Sequence, residues 1–288
     1  MRASLLTTLA LALAAGCGLA AAADLPPGRF VEVRGARLYV ETQGSGPPIV
    51  FLHGGLDDFD VSFAAQRDVF AATHRVIGID QRGHGHSPDD ARPYDYREMA
   101  EDTAAVIEAL GLGPVDVVGH SDGADIALLL ARDHPALVRR LVLASGNLRA
   151  DLTADELAQR SAWTEAQIDA SLDRMAARLP PRFQAEDAKV APDGPAHWRV
   201  LLRKSWRLWL TPIVIAPADL KRIHAPALVI AGDRDFVSVD ETVELWRGLP
   251  DAQLLILPDT AHATLSTRPG FVNRAIADFL EAPAKPKP

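Results

Sequence analysis

Short, unbroken apolar runs recur along this chain. Pro48–Leu52 reads PIVFL, His74–Asp80 reads HRVIGID, Val115–Gly119 reads VDVVG and Leu141–Ser145 reads LVLAS. Ala227–Gly232 (ALVIAG) and Ala252–Pro258 (AQLLILP) complete the series. Apolar runs of about four to eight residues, bounded by polar or turn residues, suit strands buried on both faces. Ahead of them, Arg29–Arg34 and Ala36–Thr42 alternate in polarity around Gly35, which predicts a β-hairpin. Helical spacing covers about Tyr94–Leu110, Gly123–His134, Ser238–Gly248 and Gly270–Leu280. Strands alternating with helices predict an α/β fold with a mostly parallel sheet covered on both faces, and the antiparallel hairpin at its start.

One region breaks this rhythm. From Leu148 to Leu220 there is no buried-strand run; the segment is helical in pattern, charged, and carries Trp163, Trp198, Trp206 and Trp209. The expected organisation is therefore a core made of residues 24–147 and 221–281, with residues 148–220 as a helical cap inserted between two strands. Ligand sites in open α/β sheets lie beyond the carboxyl ends of the strands, so an insertion there covers a site. The competing reading is a separate helical subdomain without a part in the chemistry. For most of the tryptophans, packing of the cap is the expected role.

The ends differ from the body. Met1-Arg2 precedes an apolar stretch from Leu5 to Ala15 and small residues ending in Ala21-Ala22-Ala23. This reads as a signal peptide over residues 1–23, and implies a protein exported to the periplasm or secreted. Cys17, the single cysteine, follows Ala14-Ala15-Gly16 in a weak lipobox, so a lipid-anchored membrane form is the alternative. A lone cysteine allows no internal disulfide. Residues 282–288 close a Pro-rich polar tail expected to be disordered. The formal charge of -8 argues against a nucleic-acid partner, because phosphate binding needs clustered Lys and Arg.

Chemistry gathers at three strand ends. Gly119-His120-Ser121-Asp122-Gly123 fits G-x-S-x-G where an apolar strand meets a helix, the setting of a nucleophile elbow. Its glycines leave room for a strained turn that neighbouring backbone would otherwise obstruct. A serine hydroxyl needs a base to take its proton. His262, in the loop after the last strand, is the expected base. GDRDFV, after the preceding strand, offers two acids, Asp233 and Asp235. Asp235 lies further beyond the strand end and is the expected partner of His262; Asp233 suits a turn cap or a pair with Arg234. Taken singly, such residues are ordinarily surface, cap or turn groups. Here they follow three strand ends in the order Ser, Asp, His. The backbone N–H groups of Gly55 (in His53-Gly54-Gly55-Leu56) and Asp122 are the expected oxyanion donors.

FLHGG, DQRGHGHS, GHSDG, GDRDFV and DTAH together resemble the α/β-hydrolase superfamily, in its capped serine-esterase branch. The likeness runs from about Phe30 to Leu280, the insertion excepted. It implies an acyl-enzyme mechanism without a cofactor, and scaffold roles for Asp80 and Arg82. Serine at position 121 argues against dehalogenase or epoxide-hydrolase chemistry, where this family uses aspartate. Leu56-Asp57-Asp58 stands where prolyl aminopeptidases carry proline, which argues against a peptidase. A zinc site at His84 and His86 is not expected, since Pro88-Asp89 breaks the metallo-β-lactamase-like pattern.

Asp122 poses an electrostatic problem. Acids in a helix's first turn gain about 0.3–1 kcal/mol from the macrodipole. An unpaired carboxylate about 6 Å from the oxyanion, at an effective dielectric near 20, would oppose it by roughly 2–3 kcal/mol, a fiftyfold to hundredfold loss of rate. Asp122 must therefore point away, pair with a protein cation, or bind a cationic substrate. Hydrolases resembling this chain with S-D-G at the elbow cleave amino-acid esters, so Asp122 is also a candidate for binding a substrate ammonium. The expected function is hydrolysis of a small-molecule carboxylic ester, thioester, lactone or amide. A carbon–carbon bond hydrolase, a cofactor-free perhydrolase and a non-catalytic binding protein of the same fold are the alternatives.

Overall fold

A computed structural model describes residues 28–148, 154–211, 213 and 215–283. The expected signal peptide, Cys17 and residues 284–288 lie outside the described residues.

The apolar runs become one sheet. β1 (Arg29–Val33) and β2 (Ala36–Gln43) form the hairpin; β3 (Pro48–Leu52), β4 (Arg75–Ile79), β5 (Val115–His120), β6 (Val138–Ala144), β7 (Ala227–Gly232) and β8 (Ala252–Leu257) follow. Their order among the described residues is β1-β2-β4-β3-β5-β6-β7-β8. The hairpin sits at one edge: β2 runs antiparallel to β4, and every pairing from β4 to β8 is parallel.

Each continuous run divides between two cores. In β3, Val50 and Leu52 join one apolar cluster while Ile49 and Phe51 join the other, on the opposite face. Successive strand residues point to opposite faces, so a strand with helices on both sides needs apolar residues at every position. α1 (Phe59–Phe63) and α2 (Arg67–Ala71) supply Phe59, Phe63 and Phe70 to the second cluster. This pair falls between the predicted strands, where no helix was expected. α3 (Tyr96–Ala109) and α4 (Asp122–Asp133) cover the other face, with Met99, Ile107, Ile126 and Leu130.

Between β6 and β7 the described residues form helices alone: α5 (Ala154–Ser161), α6 (Glu165–Ala176), α7 (Pro181–Val190), α8 (His197–Trp209) and α9 (Pro217–Leu220). Trp163 stacks on buried Trp206 with ring centroids 5.5 Å apart. Polar groups tie α8 to the loop after β4. Asp89 accepts from His197 Nε2 at 3.0 Å and Lys204 Nζ at 2.7 Å, and Lys204 also donates to the Asp90 and Arg92 carbonyls. α10 (Val239–Gly248), α11 (Thr264–Thr267) and α12 (Pro269–Glu281) complete the chain. Among the described residues, no helix is long and apolar enough to cross a membrane.

Parallel register aligns the functional loops. Leu52 pairs with Gly119, Gly119 with Leu143, Leu143 with Val229, and Gly232 with Leu257. The loops bearing Gly55, Ser121, Asp235 and His262 therefore all leave the carboxyl edge of the sheet, where ligands of such folds bind.

Candidate active site

Ser121 stands at the junction of β5 and α4 with φ 52° and ψ -122°. A non-glycine residue in that region stores about 1–3 kcal/mol of strain, which the surroundings must hold. Its N–H donates to Ala144 O at 2.9 Å, and its carbonyl accepts the Ala124 N–H at 2.8 Å, so sheet and helix clamp the turn. The flanking glycines supply space, as the left-handed geometry falls on the serine itself. A Cβ on Gly119 would lie 2.6 Å from Ala124 Cα, and one on Gly123 would lie 2.6 Å from His53 O. Both contacts are with backbone, which has little freedom to give way.

The expected nucleophile, base and acid stand in one hydrogen-bonded line. Ser121 Oγ lies 2.8 Å from His262 Nε2, and His262 Nδ1 lies 2.8 Å from Asp235 Oδ1. With Asp235 as acceptor, Nδ1 carries the proton and Nε2 faces the serine with its lone pair. Burial alone would raise the Asp235 carboxyl; the His262 ring and hydrogen bonds outweigh it and hold Asp235 below the usual carboxylate range. The other acid of GDRDFV is exposed and accepts the Thr260 N–H at 3.1 Å. Asp233 is thus a turn cap, and Arg234 pairs with Asp259 at 3.1 Å instead.

Groups to which the sequence assigned no role hold this line in place. His120 Nε2 donates to His262 O at 3.0 Å, and Ser145 Oγ donates to the same carbonyl at 3.2 Å. Burial, then the His262 charge, pushes His120 down to about 4, so it remains a neutral donor. The Phe236 ring lies 4.1 Å from the His262 ring between centroids. Strain gathers here too: Leu56 (φ 65°) and Ser145 (φ 55°) join Ser121 in the left-handed region.

Gly55 and Asp122 face each other across the site. Asp122 opens α4, where the first N–H groups of a helix have no intrahelical acceptor. A Cβ on Gly55 would lie 2.5 Å from Asp122 Oδ2 and 2.9 Å from Trp209 Cζ2, so only glycine brings this loop against the elbow. Behind it, His53 Nδ1 donates to Gly54 O at 2.8 Å while Nε2 accepts the Gln81 N–H at 2.8 Å. That pairing makes His53 neutral, and burial lowers its basicity further.

The Asp122 side chain follows none of the three expected courses in full. It is buried, and its partners are uncharged: Tyr96 Oη donates to Oδ1 at 2.9 Å, and Trp209 Nε1 donates to Oδ1 at 3.1 Å and Oδ2 at 2.9 Å. Among the described residues no Lys or Arg pairs with it, and its two donors, the phenol O–H and the shared indole N–H, reach both oxygens. Burial raises its carboxyl above the usual range, with the two donors working the other way. Trp209 also departs from the packing role expected of the insertion's tryptophans, since its indole reaches the elbow.

Next to Gly55, a shallow cleft open to solvent lies between the loop after β3 and helices α7 and α8. Leu56, Val61, Phe183 and Leu201 give it apolar walls, and Asp57 and Arg182 add charge. Asp57 accepts from Ser62 Oγ at 3.1 Å, and burial pushes it up to about 7.

Elsewhere, the DQRGHGHS segment is tied into the scaffold. Asp80 accepts from Phe59 N at 2.9 Å and from His86 N and Nδ1 at 2.9 and 3.0 Å. Arg82 pairs with Asp102 and with Asp90, and His84 is buried with Nδ1 3.0 Å from Arg82 O.

Comparison with known proteins agrees with this architecture. Residues 47–174 match the family model described as the alpha/beta hydrolase fold. The chain is 32% identical over 247 residues to the putative carbamate hydrolase RutD of Shigella flexneri serotype X (strain 2002017), covering 81% of this chain and 91% of that protein. Among solved structures it is similar to Est816, described as an N-acyl homoserine lactone degrading enzyme, at 28% identity and a TM-score of 0.70, covering 87% of this chain and 99% of that one. The meta-cleavage product hydrolase of Pseudomonas fluorescens IP01 shares the fold at 19% identity and a TM-score of 0.70, over 88% and 97% of the two chains. Sheet order, elbow, insertion and these likenesses lead to one conclusion: this chain belongs to the α/β-hydrolase family, and it is a hydrolase.

Proposed function

We propose that this protein cleaves a carboxylic ester, or a related acyl compound, through an acyl-enzyme intermediate. The observation that carries the reading is the unbroken line from Ser121 Oγ through the His262 ring to Asp235, at 2.8 Å on each side. Ser121 attacks the carbonyl carbon as His262 Nε2 takes the hydroxyl proton. The tetrahedral oxyanion is held by the N–H groups of Gly55 and Asp122. His262 then gives its proton to the leaving oxygen or nitrogen, and the oxyanion's electron pair re-forms the carbonyl as the leaving-group bond breaks, leaving the acyl group on Ser121 Oγ. Water, activated by the same imidazole, releases the acid and restores the serine. Asp235 orients the imidazole and stabilises its charged form. No step calls for a cofactor.

The acyl class is set by the partner atom on the leaving side. Likeness to the putative carbamate hydrolase RutD and to an enzyme described as degrading an N-acyl homoserine lactone supports testing carbamates and lactones beside simple esters, thioesters and amides.

A p-nitrophenyl ester gives the direct test. A burst of nitrophenol equal to the enzyme present, covalent labelling by a fluorophosphonate, and loss of both in Ser121→Ala are expected. Absence of burst and label in the wild type would point instead to a non-catalytic binding protein. A panel of esters, lactones and carbamates then ranks the substrate classes by kcat/KM.

A further inference from the structure

The Asp122 carboxylate lies in the wrong place for an oxyanion site unless something offsets it. Two residues from distant segments do so. Tyr96 is the first residue of α3, and Trp209 is the last of α8, in the helical insertion. Both converge on Asp122, with donor distances of 2.9 Å from the phenol and 2.9 and 3.1 Å from the indole. The tyrosine is buried, and burial followed by the Asp122 charge holds its phenol well above its ordinary range, so it stays a donor. The carboxylate and indole also form the surface on which Gly55 rests, as the 2.5 and 2.9 Å approaches of a Cβ at that position show.

We propose that Trp209 and Tyr96 are positioning residues for the oxyanion hole. Through the Asp122 side chain they fix the two N–H groups of Asp122 and Gly55. With neutral donors they also disperse a negative charge that would otherwise oppose the transition state. The helical insertion is then a working part of the reaction centre: the oxyanion site is complete only when α8 is docked and its indole is in place. This inference rests on the acyl-transfer reading above. It assigns the Asp122 carboxylate to the protein's own donors rather than to a substrate ammonium.

The charged and titratable groups facing Asp122 are few. His53 and His262 act on it from the loops after β3 and β8, Tyr96 from α3, and Asp125 from its own helix. Asp125 is held well above the usual carboxylate range, first by burial and then by Asp122. Removing the two donors lifts the Asp122 carboxyl further. Below its ionisation the carboxyl is neutral and only the anchoring is lost. Above it, an unpaired anion stands beside the oxyanion.

The test uses the full-length protein and a neutral p-nitrophenyl ester. Trp209→Phe and Tyr96→Phe keep the rings and remove only the donors. Each is expected to lower kcat roughly 10-fold with KM unchanged, and the pair together roughly 100-fold. The double variant's deficit should widen as pH rises through the Asp122 ionisation, and adding Asp122→Asn should abolish that widening. Trp163→Phe, in the same insertion, should leave turnover and melting temperature near wild type. Wild-type kcat in the phenylalanine variants overturns the proposal. So does a pH-independent deficit that Asp122→Asn does not alter, which is the mark of packing alone. An Asp122→Asn effect confined to the KM of ammonium-bearing esters, against neutral esters of equal size, overturns it in favour of substrate recognition. If the wild type itself shows no Ser121-dependent turnover, the acyl-transfer reading fails first, and the two failures are told apart.

Discussion

The sheet edge and the helical insertion are held by different forces. At the edge, strands buried on both faces carry the loops, and hydrogen bonds with partners inside the protein hold the reacting groups: His120 and Ser145 on the His262 carbonyl, Ala144 on the Ser121 N–H. The insertion has an apolar interior at Leu172, Leu201 and Trp206, but charge pairs lace its outer face. Arg199 and Arg203 bridge Asp169, Arg199 reaches Asp173 and Arg207 reaches Glu165, with most of these side chains substantially exposed. Exposed pairs contribute about 0–1 kcal/mol each and are screened by salt, whereas apolar strand burial does not depend on charge screening. The reacting groups are therefore built on the strand edge, while the outer helices of the insertion are joined to one another by contacts that salt can loosen.

The sharpest way to break this comparison lies at the rigid edge. Asp235→Asn should reduce kcat by about 10⁴-fold, since an amide cannot hold the imidazole in the required tautomer. Asp233→Asn, two residues away in the same loop, should change kcat little, because Asp233 caps backbone N–H groups of the turn at Thr260 and Asp259. Equal losses in the two variants would remove the assignment of Asp235.

A smaller effect should appear at the docking contact. Lys204 Nζ has three acceptors on the loop after β4 and is mostly buried. Lys204→Met should cost about 1.5–3 kcal/mol, read by urea unfolding and by faster proteolytic cleavage within residues 154–211. Cleavage in the core at the same rate would show that the two regions unfold as one.

The smallest effect is one of pH. The Asp89 hydrogen bond, acting against burial, raises the His197 imidazole above its ordinary value. A raised base adds stability that is complete below its unfolded value and fades as pH rises through the folded one. His197→Gln should therefore lower the melting temperature more at about pH 5.5 than at about pH 9. The opposite ordering, or none, would show that His197 serves docking only as a neutral donor.

Much of the molecule was legible along the chain, and for identifiable reasons. PIVFL and ALVIAG are apolar at successive positions because both sheet faces are covered, a local pattern with a single structural meaning. Ser121, His262 and Asp235 could be named because each follows a strand end. The pair α1 and α2 was not legible: Phe59, Phe63 and Phe70 are too few and too close together to announce helices by period. Tyr96 and Trp209 had no signal either, since a helix-start tyrosine and a helix-end tryptophan are ordinary packing residues in isolation.

Asp122 marks the boundary between the two kinds of information. Its position after the nucleophile, and the charge conflict that follows, are properties of five consecutive residues and of Coulomb's law. How that conflict is met depends on Tyr96, 26 positions earlier, and Trp209, 87 positions later. Local sequence determines backbone geometry and which groups can react, because those depend on near neighbours and on strand and helix periods. Only the packed fold decides which distant donors meet one carboxylate, because that depends on how an insertion of several helices settles over the edge of the sheet.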